Sequence, residues 1–180
     1  MPLVSPSHAW RVANLGAFAF TPDPRPGNPE AVRITGDWPR QYLVQVSVPQ
    51  CANFGIRHDI TVHYKVSKPL VALWNAWELA GLLPLVHTWD GCWVPRYKRQ
   101  TGTPEQREAK CRAGLPVTEL SNHSWASAFD VNARELPLGL DIPADHPFRQ
   151  LVPIANEHGF FWGGDYAGRK DPMHFELAAV

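Results

Sequence analysis

The stretch SKPLVALWNAWELAGLL, residues 67–83, is the segment most strongly committed to one local structure. Leu70, Leu73, Trp74, Trp77 and Ala80 fall on one face at helical spacing, so the chain must supply an apolar layer to cover them. The pattern predicts Ser67 as the N-cap, Pro69 in the first turn and Gly81 as the stop. Everything around this helix is shorter. Tyr42–Val48 and Asp59–Tyr64 read as strands, and Leu83–Arg99 as an extended run ending in an arginine-rich rim. Thr103 and Gln106 form a capping box with Pro104 at the first helical position, so a short helix follows. A second helix is expected from Phe148 to His158, kinked or shortened by Pro153 and ended by Gly159. The tail, GFFWGGDYAGRKDPMHFEL, reads as a strand, a Gly-Gly turn, a loop and a terminal strand. Helices and strands mix without βαβ alternation, which places the chain in the α+β class, with a small mixed or antiparallel sheet and flanking helices.

A chain of 180 residues has enough material for one compact unit. Residues 1–50, rich in proline and turns, are expected to pack as an N-terminal segment on a main domain spanning 51–180. Lys plus Arg and Asp plus Glu balance at 17 each, which argues against nucleic acid or an anionic membrane as partner. Membrane insertion is not expected either, since no apolar run nears the roughly 20 residues that span a bilayer. The opening MPLVSPSHAWRV lacks the basic and apolar regions of a secretory signal, so synthesis in the cytoplasm is expected. Cys51, Cys92 and Cys111 are odd in number and widely spaced, which suits neither a disulfide framework nor a cysteine zinc site. Most of the eight tryptophans are expected in the core or at its rim.

Two short segments carry groups suited to metal chemistry. SNHSWASAFDVN, residues 121–132, holds His123 and Asp130, and DPMHFEL, residues 171–177, holds Asp171 and His174. A catalytic zinc takes three protein ligands and keeps one position open, and hydrolysis needs a base that does not itself bind the metal. His123, Asp130 and His174 can be the ligands, with Asp171 as the base. In a strand over 127–132, Ala128, Asp130 and Asn132 share a side, and the small residues at 124 and 126–128 let His123 turn back toward Asp130. His8, His58, His63, His87 and His146 read as surface or packing residues, and His158 as a helix-end residue.

On these motifs the chain resembles the M15 zinc metallopeptidases. That group includes D-alanyl-D-alanine carboxypeptidases, VanX-type dipeptidases and phage L-alanyl-D-glutamate endopeptidases. Ser121, His123, Ala128 and Asp130 match its Ser-x-His-x-x-Gly-x-Ala-x-Asp motif, and Asp171 with His174 matches its acidic-x-x-His motif. The WGGD and DxxHF forms are most similar to the phage, CwlK-like branch. The resemblance runs over about residues 59–177 and implies a zinc site on the sheet of a hedgehog/DD-peptidase-like fold. It further implies Zn2+ bound by His123, Asp130 and His174, Asp171 as base, and Arg96 as the cation that steadies the developing oxyanion, with Arg99 as the alternative. Ser121, Asn132, Arg99, Trp162 and Asp165 are expected to orient these groups or touch substrate, Asp165 also as a turn residue beside Gly163 and Gly164. The implied partner is the peptidoglycan stem peptide, cut by a monomeric phage endolysin that a holin releases to the cell wall. The rivals are a D,D-carboxypeptidase or D,D-endopeptidase of the same family and, from another class, a non-catalytic zinc-containing wall-binding or virion protein. The chain departs from the pattern at Ala126, where the family has Gly, and at Tyr166, where it has Trp; its base is Asp rather than the Glu of the VanX-like branch.

Overall fold

The long helix α3 covers Tyr64–Leu79 and starts three residues before the expected cap. His63 is the cap, its Nδ1 accepting from the Lys65 N–H at 3.1 Å. Ser67 lies inside the first turn, where its hydroxyl donates to the Tyr64 carbonyl at 2.6 Å. Pro69 therefore sits within the helix, leaving the Lys65 carbonyl without its usual donor. The computed structural model describes residues 3–56, 59–112 and 119–179, so the reading of His58 lies outside the described residues.

The layer that covers α3 is an antiparallel sheet. Strands β5 (Trp89–Gly91), β6 (Ala128–Val131), β7 (Phe160–Trp162) and β8 (His174–Leu177) lie in the order β5-β6-β8-β7. Phe129 and Phe175 are register partners on β6 and β8, with rings stacked at 5.4 Å. Trp77 of α3 meets both edge-on, at 6.2 Å from Phe129 and 5.5 Å from Phe175. Since side chains alternate along a strand, this aromatic face leaves Ala128, Asp130, His174 and Glu176 together on the opposite face. The arrangement is α+β, with small antiparallel sheets and flanking helices.

Leu83–Arg99 is less extended than its sequence suggests: Leu83–Leu85 is a 3₁₀ turn and only Trp89–Gly91 joins the sheet. Helix α4, Pro104–Arg112, has the expected capping box, with Thr103 N–H to Gln106 Oε1 at 2.9 Å and Gln106 N–H to Thr103 Oγ at 3.3 Å. The C-terminal helix is split into a 3₁₀ turn at Pro147–Gln150 and α5 at Leu151–Glu157. Pro153 falls in the first turn of α5, where a missing N–H costs little, and the α-helix is shorter than the expected Phe148–His158.

The N-terminal segment has more structure than the one strand read there. Helix α1 (His8–Leu15) is capped by Ser7, whose hydroxyl accepts from the Trp10 N–H. Strand β1 (Ala19–Pro22) pairs with β2 (Val32–Thr35), and α2 takes Trp38–Tyr42. Strand β3 (Leu43–Val46) pairs with β4 (Ile60–His63), across position 50. Leu15, Val32 and Trp38 share an apolar cluster with Leu120 and Trp125, which brings this segment against the turn that precedes β6.

Candidate metal centre and catalytic cleft

His123 lies in a 3₁₀ turn, Asn122–Trp125, while Asp130 and His174 are register partners on β6 and β8. The turn ends on Ala126 in the left-handed conformation, φ 50° and ψ 36°, which reverses the chain so that His123 faces the strand it precedes. The family glycine position thus does carry a positive φ here, and alanine occupies it at some backbone cost.

The three side chains converge. His123 Nε2 is 3.2 Å from His174 Nδ1 and 3.2 Å from Asp130 Oδ1, and His174 Nδ1 is 2.8 Å from the same oxygen. One ligand atom from each residue lies within 4.8 Å of the other two. The remaining ring nitrogens are also engaged. His123 Nδ1 faces the Cys92 carbonyl at 2.8 Å, and His174 Nε2 faces Glu176 Oε2 at 3.2 Å. With an N–H on each of those outer nitrogens, the inner lone pairs of both imidazoles point at one another and at a carboxylate. Three acceptors so close together call for a cation, and two imidazoles with one carboxylate form a donor set suited to zinc.

The electrostatics follow the same geometry. Burial would raise the Asp130 carboxyl, but His123 and His174 outweigh it and hold Asp130 well below the usual carboxylate range. Burial lowers His123, with Asp130 opposing. His174 also suffers burial, yet hydrogen bonds to Asp130 and Glu176 push it up to about 10. A positive charge is therefore favoured among these groups, whether as a proton or as a metal ion.

The trio opens into a cleft of about 740 Å³, also lined by Arg96, Arg99, Ser121, Tyr166 and Asp171. Burial raises Asp171 to about 6, with His174 opposing and Asp130 adding to the rise. Its Oδ1 is buried and has no hydrogen-bond partner among the described residues. The loop carrying it rests on Gly163: the Asp171 N–H donates to the Gly163 carbonyl at 3.0 Å, and a Cβ on Gly163 would stand 2.6 Å from the Asp171 carbonyl oxygen. Burial lowers Arg96 to about 10, so its guanidinium is still charged at neutral pH. Ser124 ties Arg96 to the His123 turn, its hydroxyl accepting from the Arg96 N–H at 3.0 Å and donating to the Arg96 carbonyl at 2.8 Å. Arg99 faces the cleft but is shared with buried Glu30 at 3.6 Å, which Arg107 holds more closely at 2.9 Å.

The outer residues divide. Ser121 lines the cleft, its N–H donating to the Arg96 carbonyl. Asn132 lies beyond the end of β6 with φ 56°, so the run of alternating side chains stops before it. Its amide accepts from the His87 and Thr88 N–H groups and donates to the Leu85 carbonyl, which fastens the loop into β5 rather than a ligand. Trp162 is buried and donates to the Pro172 carbonyl at 2.8 Å, supporting the Asp171 loop from beneath. Asp165 is exposed and outside the cleft lining. Sequence reasoning missed Glu176, Cys92 and Ser124. Only Glu176 carried a local signal, a carboxylate two residues beyond His174 and so on the same face of a strand.

Residues 116–177 match a family model described as D-alanyl-D-alanine carboxypeptidase, one of the M15 peptidases. No curated protein and no solved structure matches. Among the described residues no helix is long and apolar enough to cross a membrane. The matched segment holds all three converging side chains and Asp171, and the match supports the M15 peptidase family and, at the family level, a peptidase acting on peptidoglycan.

Proposed function

We propose that the chain is a zinc-dependent peptidoglycan peptidase that cuts the stem peptide between L-alanine and D-glutamate, and that it serves as a phage or prophage endolysin. The observation that carries the hydrolase reading is the placement of a half-buried carboxyl with a raised pKa, Asp171, in the same cleft as the His123–Asp130–His174 trio. Zinc held by those three groups would supply a Lewis acid able to bring water's pKa from 15.7 to about 7. Asp171 accepts the proton of the attacking water and passes it to the leaving amine. A carboxyl near pKa 6 is suited to both transfers at neutral pH. Arg96 offers a fixed positive charge to the carbonyl oxygen as it becomes negative, a kind of stabilisation often worth more than any other single contribution. Release to the wall through a holin and action as a monomer belong to the same reading.

The choice of bond rests on the resemblance of the WGGD and DxxHF segments to the endolysin branch. A second reading, removal of a terminal D-alanine, draws on the description of the matched family model. Digestion of purified muropeptides by the zinc-loaded protein, with the new termini identified by mass spectrometry, separates them. A free N-terminal D-glutamate is the expected product. Released D-alanine favours the second reading, and absence of any cleavage contradicts both.

A further inference from the structure

Glu176 is a fully buried carboxylate that the catalytic reading leaves without a task. It lies two residues beyond His174 on β8, on the site face of the sheet, and its register partner on β6 is Ala128. The small side chain opposite leaves room for a carboxylate. Glu176 Oε2 stands 3.2 Å from His174 Nε2, while the other nitrogen of the same ring faces Asp130. Oε1 is buried, with no partner at hydrogen-bond distance among the described residues. Tyr166 and Ser5 present their hydroxyls to the same carboxylate, Ser5 from the N-terminal segment. A fully buried carboxylate is costly unless positive charge nearby offsets it.

We infer that Glu176 is a positioning residue for the metal: it accepts the His174 Nε2–H, fixes the tautomer that turns Nδ1 toward the trio, and makes that nitrogen a stronger donor. Two carboxylates, partly buried Asp130 and fully buried Glu176, then flank one imidazole and would together balance a divalent cation. The effect on the cation would pass through the His174 ring, whose Nε2 faces Glu176. Partners of this kind typically change metal affinity roughly 10–100-fold. The inference rests on His174 being a ligand, as proposed above.

Zinc affinity measured by competition with a chromophoric chelator tests it, on the full chain and without substrate. Glu176→Leu, similar in bulk but unable to accept a hydrogen bond, should bind zinc roughly 10–100-fold more weakly. Glu176→Gln retains an acceptor and should recover part of that loss, a graded rescue that a packing role would not produce. Zinc-free thermal unfolding of both variants reports folding separately. If Glu176→Leu does not fold, Glu176→Gln decides alone: weakened binding supports the inference and wild-type affinity overturns it. Wild-type affinity in both variants, or equal loss in both, also overturns it. A His174→Ala control separates the two levels, because undiminished zinc binding there would remove His174 as a ligand and with it the reading on which this inference stands.

Discussion

Asp130 and His174 are held by a ladder, whereas His123 is held by a turn. On the ladder side, β6 and β8 set the two side chains opposite each other, and the reverse face packs Phe129 and Phe175 against Trp77. The turn has no such repeat. It is fastened from several distant places: His63 N–H donates to the Ala126 carbonyl at 3.0 Å, Val94 N–H to the His123 carbonyl at 3.2 Å, and Trp125 Nε1–H to the Gly16 carbonyl at 2.9 Å. Arg11 of α1 completes the set by bonding Asn122. One half of the site thus depends on the central core, and the other on the N-terminal segment. Damage to each should be distinguishable.

The largest effect is expected on the ladder side. Phe129→Ala removes a ring that contacts Trp74, Trp77, Trp89, Phe160 and Phe175, and should cost about 3–5 kcal/mol in chemical denaturation. A loss below about 1 kcal/mol would mean that the sheet does not depend on this packing.

On the turn side the sensitive group is His63. Its Nε2 faces the Leu15 carbonyl and its Nδ1 accepts from Lys65, which together define a neutral ring. Burial lowers its pKa from 6.5 to about 4, the Leu15 bond opposing and Lys65 assisting. The folded value lies below the unfolded one, so the contribution is complete above about pH 6.5 and is lost as pH falls toward about 4. A depression of that size corresponds to about 3 kcal/mol at most. Denaturation at a series of pH values should show this slope in the wild type. It should be missing in His63→Asn, which keeps a capping acceptor without titrating. The same slope in both proteins would remove His63 as its source.

The smallest effect belongs to Ala126. Glycine would relieve the left-handed strain but forfeit a buried methyl group, so Ala126→Gly should stabilise by less than about 1 kcal/mol. A destabilisation beyond that size would show that the methyl group's packing outweighs the strain.

The ladder side was the more legible in sequence for a physical reason. Once a strand is assumed, period-two alternation gives the face of Asp130, and the DxxHF segment gives its partner. The α3 apolar face was legible on the same grounds, although its start was not, because the capping His63 belongs to the preceding strand. The turn could be suspected from its small residues, but Ser124 gripping Arg96 and Trp125 reaching Gly16 join positions 28 and 109 residues apart. No local pattern encodes contacts over such separations. Asn132 failed for a related reason: its positive φ ends the strand and redirects its amide to the 85–88 loop.

Zinc content and stem-peptide cleavage, measured together on the wild type, Asp130→Ala and Asp171→Asn, test the central claim most directly. The wild type should carry stoichiometric zinc and cut; Asp130→Ala should lose both. Asp171→Asn should keep its zinc while its rate falls about 10²–10⁴-fold, the scale of a general base. Full zinc in Asp130→Ala, or near-normal turnover in Asp171→Asn, would contradict the assignment of the ligand or of the base.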